Sequence, residues 1–260
     1  MAGETLELVA LAASLAREAG ALLVEQARSA ATGVDSKSSR TDMVSDADRA
    51  ADAFLSARLR RAFPDDAIVS EESDRVPGRS GRTWYVDPLD GTVNYLYRLP
   101  HWAVSIACAD ADGALAGVVY DPIRDELFAA ARGTGARLGE RRLVTSAVSD
   151  PGLALVATGF SYDATERADQ AEVVARIAGQ VRDIRRVGSA ALDLAWVAAG
   201  RLDAYFEVSR TAWDTAAGEL LVREAGGAVT WTDHTEIVAS GRSLHAPLVA
   251  LLRASHENPV

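Results

Sequence analysis

A single cysteine, Cys108, in a chain of 260 residues leaves no partner for an intramolecular disulfide, and a reducing compartment is its natural setting. It lies in the apolar run Trp102 to Ala109, where a buried thiol behaves as a small hydrophobe. Positive charge is also scarce: 27 Lys and Arg stand against 37 Asp and Glu, a formal charge of −10. With no basic face to release counterions, neither nucleic acid nor an anionic membrane is an expected partner. No apolar run approaches the ~20 residues that cross a bilayer. The Ala/Leu-rich opening from Thr5 to Ala27 is broken by Glu7, Arg17, Glu18 and Glu25 and lacks a basic leader, so the expectation is a soluble, cytoplasmic protein.

Other absences exclude whole chemistries. There is no Gly-x-Ser-x-Gly elbow for a serine hydrolase, and no P-loop or Gly-x-Gly-x-x-Gly for a nucleotide. The four histidines have no metal-ligand spacing: His101 beside Trp102 reads as a strand-edge residue, and His234, His245 and His256 read as surface positions. Internal repeats, low-complexity tracts and obvious linkers are missing too.

What remains is an ordinary globular composition, 25 % charged and 48 % hydrophobic, in a chain long enough for one large domain or two intimately packed halves. The likeliest seam is near residue 150, giving an N-terminal half (1–150) and a C-terminal half (151–260) within one compact unit. Leu8, Leu11, Leu15 and Leu22 recur at helical spacing over 5–28. A polar loop from Thr32 to Thr41 follows. Ser45 with Asp48 reads as a capping box opening a second helix that Pro64 ends.

Short apolar runs then predict strands at Ala67 to Ser70, Thr83 to Val86, Trp102 to Ala109, Ala114 to Tyr120 and Glu126 to Ala131. Turns at Asp110–Gly113 and Arg132–Gly135 make much of this sheet antiparallel. After Pro151 strands alternate with helices: Leu153 to Ala157, a helix from Ala164 to Ala178, Arg182 to Val187, a helix from Ala190 to Ala199, Ala204 to Val208, and a helix from Asp214 to Ala225. Two more strands and a terminal helix complete an α/β (α+β) pattern of alternating layers.

The chemistry concentrates in carboxylates. Asp87 and Asp90 sit three apart where a strand enters the turn Asp87-Pro88-Leu89-Asp90-Gly91-Thr92. Such a turn leaves the Leu89 carbonyl out of the ladder and sets the Gly91 and Thr92 amides at a helix start. Carboxylate and carbonyl oxygens are the donors a hard cation such as Mg²⁺ prefers. An acidic turn capping a short helix explains the same letters, but Glu71 and Glu72 end a strand, Asp48 lies in a capping turn, and Asp214 opens a helix. These acids have no lysine or arginine close by in sequence, so divalent cations would neutralise them and clamp a phosphate.

These segments resemble the inositol monophosphatase family of magnesium-dependent, lithium-sensitive phosphatases. Trp84 to Tyr95 is similar to the family's first signature, and Trp213-Asp214-Thr215-Ala216-Ala217-Gly218 through Gly227 to its second. Lys37-Ser38-Ser39 with Asp42 and Asp48, Glu71-Glu72-Ser73, and Arg186 to Ala191 extend the likeness over nearly the whole chain. Leu89 stands where isoleucine is commoner, and Thr158 to Tyr162 matches more loosely.

The resemblance implies a layered αβαβα sandwich of the inositol monophosphatase and fructose-1,6-bisphosphatase type. It implies two or three Mg²⁺ ions on Glu71, Asp87, the Leu89 carbonyl, Asp90 and Asp214. Glu71 and Thr92 would orient the attacking water, and Asp48 would hold the surrounding network. Gly91 and Thr92 would bind phosphate, while Asp90, Gly188, Ser189, Ala190, Glu207 and Asp214 would face a phosphorylated polyol, foremost myo-inositol 1-phosphate. A homodimer is implied as well. Histidinol-phosphate, fructose-1,6-bisphosphate or a nucleotide 3′-phosphate are the alternative substrates, and a regulatory binding member without turnover is the alternative class.

One local rival is the stretch Ala107 to Gly113, which imitates the nucleophile strand of haloacid-dehalogenase phosphatases, with Asp110 forming an aspartyl-phosphate. An Asp-Gly hairpin turn accounts for those letters more simply.

Overall fold

The computed structural model of the chain describes residues 2–28, 33–37, 43–208, 210–233 and 236–257. Helix α1 (Ala2–Gln26) buries Leu8, Ala12, Leu15, Ala19 and Leu23 along the single face its period dictates. The loop that follows lies partly outside the described residues, as do Ser38, Ser39, Asp42 and His234. Two short strands, β1 (Asp35–Ser36) and β2 (Met43–Val44), pair antiparallel across it. Ser45 then caps α2 (Asp46–Ala62) through the expected capping box: Ala47 N donates to Ser45 Oγ at 3.2 Å, and Ser45 N donates to Asp48 Oδ2 at 2.9 Å.

Next come β3 (Ala67–Ser70), β4 (Thr83–Asp90), the short helix α3 (Thr92–Leu96), β5 (Ala103–Asp110), β6 (Gly113–Asp121), β7 (Glu126–Ala131), β8 (Gly135–Leu138) and β9 (Arg141–Arg142). The strands form a seven-stranded sheet in chain order. Only β3 and β4 run parallel; the other neighbours are antiparallel, as the turn residues lead one to expect. At Asp110–Gly113 the Asp112 amide donates to Asp110 Oδ1 at 2.9 Å, and Arg132 pairs with the same carboxylate at 2.8 Å. Asp110 is thus occupied in holding a hairpin.

The chain leaves this sheet after β9 and enters a second one at β10 (Leu155–Thr158). There follow α4 (Ala164–Ile177), β11 (Asp183–Arg185), α5 (Ala190–Ala198), β12 (Ala204–Val208), α6 (Ala212–Glu224), β13 (Ala228–Trp231), β14 (Glu236–Ser240) and α7 (Arg242–Glu257). The five strands lie in the order β11-β10-β12-β14-β13, with β10 parallel to both neighbours and the rest antiparallel.

Three apolar clusters define the layering. Leu15, Leu23, Leu55 and Leu59 of α1 and α2 pack on Trp84, Val86 and Ile106 of the first sheet. Ala103, Val119 and Phe128 on the opposite face meet α5 and α6, which also cover Tyr205 and Ile237 of the second sheet. Val173, Ile177, Leu244 and Leu248 of α4 and α7 close the outer face over Val156, Phe206 and Val238. The result is the αβαβα sandwich. Because α5 lies between two sheets, it is apolar almost all round, and every residue in it except Trp196 is buried.

Burial revises the histidines. His101 is no strand-edge residue: it is 5 % exposed and its ring meets Trp196 edge-on at 5.0 Å. His245 is half-buried, held by Thr230 Oγ1 at 2.7 Å and Ser240 Oγ at 3.0 Å. Cys108 is fully buried, and that burial pushes its thiol up to about 12.

Candidate active site

Regular strands send residues three apart to opposite faces. Strand β4 escapes this at its end, where Asp87 pairs with Ser105 but Asp90 pairs with Ala103, so one extra residue is inserted around Pro88 and Leu89. The bulge turns Asp87 and Asp90 toward the same side. It also explains why β4 runs to Asp90 rather than stopping at Val86. The Leu89 side chain is buried with the α1/α2 cluster, and its amide donates to Asp87 Oδ1 at 3.0 Å. Gly91 follows at φ 97°, and a Cβ there would come within 3.2 Å of the Gly188 and His101 carbonyls. Glycine is therefore required.

Glu71 leaves the end of β3 and reaches hydrogen-bonding contact with Asp87. Two carboxyls in contact need a proton or a cation between them. Burial, then repulsion from Glu71, Asp90 and Asp214, raises Asp87 well above the carboxylate range. Burial, together with repulsion from Asp214 and Glu71, pushes Asp90 up to about 7 despite the bonds from Ser189 and Ala191. Glu71 is raised too, its burial and Asp214 outweighing the attraction of Lys37.

A cation distant in sequence does neighbour these acids in space: Lys37 Nζ lies 2.8 Å from Glu71 Oε1 and also pairs with Glu72. It is the only lysine in the chain. Its burial favours loss of the proton, but the two carboxylates more than offset that and hold the ammonium above its ordinary value. Glu72 is pushed up to about 7, mainly by burial.

Asp48 joins the start of α2 to the start of α3. Its Oδ2 accepts from Ser45 Oγ at 2.5 Å, and its Oδ1 accepts from Thr92 Oγ1 at 3.0 Å. The Leu89 carbonyl is the Thr92 hydroxyl's other acceptor, at 3.1 Å. Asp214 is the third residue of α6, whose capping residue is Thr211; Thr211 N and Oγ1 both donate to Asp214 Oδ2 at 2.7 Å. This cap starts α6 two residues before the expected point. Trp213 is only half-buried, and its carbonyl accepts from Ser105 Oγ at 3.3 Å.

On the far side, Ser189 caps α5 and donates to Asp90 Oδ2 at 2.5 Å, while the Ala191 amide donates to the same oxygen at 2.7 Å. Asn94 Nδ2 binds the Val187 carbonyl at 2.8 Å and fastens the Gly188 loop to α3. Glu207 is 5 % exposed, with Oε2 accepting from Tyr205 at 2.6 Å and Oε1 lying 3.1 Å from Arg210 Nε. A Cβ on Gly159 would collide with that carboxylate. A cavity of about 230 Å³ over Phe206 and Val173 touches this group only at Glu207, so it is separate from the point where the acids converge.

Four residues near the site were given no role from sequence. Asp193 is 1 % exposed, has no hydrogen-bond partner at Oδ1, and is raised well above its usual range by burial and by Glu207 and Asp90. Tyr162 senses Asp90, Arg210, Arg186 and Glu71, and burial pushes it up to about 12. Arg186 lies against Gly188. Arg210, between Glu207 and Asp214, is a cation four residues from Asp214 and, like Arg49 beside Asp48, corrects the expectation that none neighbours the acids in sequence. Its place between two acids was the one signal available.

The donors suit a hard divalent ion: they are all oxygen, largely desolvated, mutually repelling, and drawn from three separate elements, the end of β3, β4 and α6. Among the described residues no three acidic, histidine or cysteine side chains are already gathered as a ligand group. Glu71 is turned to Lys37, and Asp90 and Asp214 each use Oδ2 within the protein.

The chain matches the model of the inositol monophosphatase family over residues 4–258, and it belongs to that family. Nus factor SuhB of Escherichia coli strain K12 is 44 % identical over 222 residues, 85 % of this chain and 83 % of that relative. The extragenic suppressor protein suhB from Bartonella henselae has a TM-score of 0.88 at 37 % identity, covering 98 % of this chain and 99 % of that one. Inositol monophosphatase from Anabaena (Nostoc) sp. PCC 7120 has a TM-score of 0.85 at 35 % identity, covering 98 % and 97 %. No helix among the described residues is long and apolar enough to cross a membrane.

Proposed function

We propose that the chain is a magnesium-dependent phosphomonoesterase acting on a phosphorylated polyol, with myo-inositol 1-phosphate as the reference substrate. The observation that carries this reading is the contact between Glu71 and Asp87 inside a group completed by Asp90 and Asp214. Glu71, Asp87, the Leu89 carbonyl, Asp90 and Asp214 would hold two or three Mg²⁺. When bound, the ions supply the charge that draws in phosphate and the acidity that makes a water nucleophilic at neutral pH.

The chain's own groups do the positioning. Glu71 and Thr92 orient the attacking water, and Asp48 fixes the Thr92 hydroxyl from behind. The Gly91 and Thr92 amides face the phosphate, and Gly188, Ser189 and Ala190 face the polyol with Asp90, Asp214 and Glu207. Both Glu207 oxygens have protein neighbours, so a polyol hydroxyl must share the carboxylate with Tyr205 and Arg210. A homodimer and a cytoplasmic location belong to the same reading.

Phosphate release from a panel of monoesters, with and without Mg²⁺, tests it. Magnesium-dependent release from at least one polyol phosphate is expected, and release that ignores magnesium contradicts the reading. A second reading, a family member that binds and regulates without turnover, is favoured by the name Nus factor carried by several relatives. It predicts no release from any member of the panel.

A further inference from the structure

Arg210 is a guanidinium that donates no hydrogen bond among the described residues. Its side chain is 20 % exposed, yet among the described residues its one ion-pair contact is Nε to Glu207 Oε1 at 3.1 Å, with the N–H badly aligned, and buried Nε has no hydrogen-bond partner. A guanidinium carries five donors in a rigid fork, and burying it without acceptors is unfavourable unless a ligand provides them. Nearby acids explain why the charge is tolerated: Glu207, Asp214 and Asp90 all stabilise it. They do not supply the missing hydrogen bonds. Asp214 and Asp90 direct their Oδ2 atoms to Thr211, Ser189 and Ala191, and Glu207 Oε2 accepts from Tyr205.

Arg186 adds a second cation on this side. It is exposed, and its guanidinium lies against Gly188 in the loop that Asn94 ties to α3. Tyr162 lies in the field of both arginines and of Asp90. The polyol side of the site is therefore bordered by two arginines, where a neutral polyol offers nothing that a guanidinium prefers over water. Carboxylates and phosphates each offer two oxygens that match the fork in two parallel bonds.

We propose that Arg210, assisted by Arg186, selects substrates whose alcohol portion carries a second oxyanion, a phosphate or a carboxylate, beside the phosphate that is removed. This rests on the phosphatase reading and places doubly anionic phosphomonoesters ahead of the reference substrate myo-inositol 1-phosphate within its substrate class.

The test uses two substrate pairs that differ in that group alone: 2-phosphoglycerate against glycerol 2-phosphate, and inositol 1,4-bisphosphate against inositol 1-phosphate. Wild-type kcat/KM should favour the doubly anionic member by about tenfold or more, the usual scale of one charge-assisted bond pair. Preference in the first pair alone marks a carboxylate subsite, and in the second alone a phosphate subsite. Arg210→Leu should cost the doubly anionic member at least about tenfold more than its partner, with Arg210→Lys intermediate because it keeps the charge and loses the fork. Arg186→Ala, at an exposed position, provides a variant that folds whatever Arg210→Leu does, and should shift the preference the same way by about threefold or more.

Equilibrium binding of all four compounds in Mg²⁺ is measured alongside. Arg210-dependent binding without turnover on any substrate sinks the phosphatase reading and upholds the subsite. Equal losses on both members of each pair, or no wild-type preference in either pair by turnover and binding, overturn the proposal.

Discussion

Ser189 and Asp90 are 99 residues apart in sequence, and the Ser189 hydroxyl donates to Asp90 Oδ2 at 2.5 Å. The bond ties the end of β4 to the start of α5, so an acid from the first sheet is positioned by the helix layer between the sheets. Ser189 also caps α5 by accepting from the Leu192 amide at 3.3 Å. Ser189→Ala should lower stability by about 1–3 kcal/mol, the cost of a lost cap and of a buried carboxylate losing a donor. Chemical denaturation of the two proteins measures it. A change below about 0.5 kcal/mol, the range of an ordinary surface substitution, would mean the bond contributes nothing.

Glu71→Gln should slow turnover by about a hundredfold or more while leaving the melting temperature within a few degrees, since in the proposed reading the group lost acts on the attacking water. Asp110→Asn should leave turnover near the wild-type rate, because Asp110 is engaged with Arg132 at a hairpin. Rapid-quench experiments on the wild type should trap no phosphoenzyme. A phosphoaspartate at Asp110 would reverse the roles assigned to these two acids.

Stability of the metal-free protein should fall as pH rises from 6.5 to about 8. Asp90 and Glu72 are both pushed up to about 7 in the fold, so there they hold protons that the unfolded chain has already released. Groups raised in this way stabilise the fold at low pH, and that contribution is lost through their folded values. The three histidines whose values the fold lowers, His101, His245 and His256, act in the opposite sense, but their contribution fades above about 7 as the unfolded chain sheds the same protons. Melting curves across this window should decline without Mg²⁺ and recover with it. A flat or rising metal-free curve would show that the acids are not held protonated.

Lithium should inhibit at concentrations where sodium does not, because a small monovalent ion can occupy a magnesium position and fail to supply its charge. Phosphate-release assays at subsaturating Mg²⁺ measure this, and equal responses to the two salts would count against the assigned ligand set.

Much of this fold is written locally. The Ser45–Asp48 box, the strand Ala204–Val208 and the Asp110–Gly113 hairpin all stand where the sequence places them, because each depends on residues within a few positions. The acids of the candidate site stood out in sequence for the same reason, each lying near the end of an element. The bulge that faces Asp87 and Asp90 together depends on pairing with β5, and so belongs to tertiary structure. Lys37 reaching Glu71 and Asp193 facing Glu207 likewise follow from how distant elements stack. His101 was misjudged because its burial depends on Trp196, almost a hundred residues further on.

Binding of Mg²⁺ by calorimetric titration, comparing the wild type with Asp87→Asn, tests the central claim most directly. Asp87 is the acid that Glu71, Asp90 and Asp214 all press upon, so removing its charge should weaken binding about tenfold or more, the scale of losing one charged ligand at close range. Binding to both proteins with the same affinity and stoichiometry would contradict a cation site at these four carboxylates.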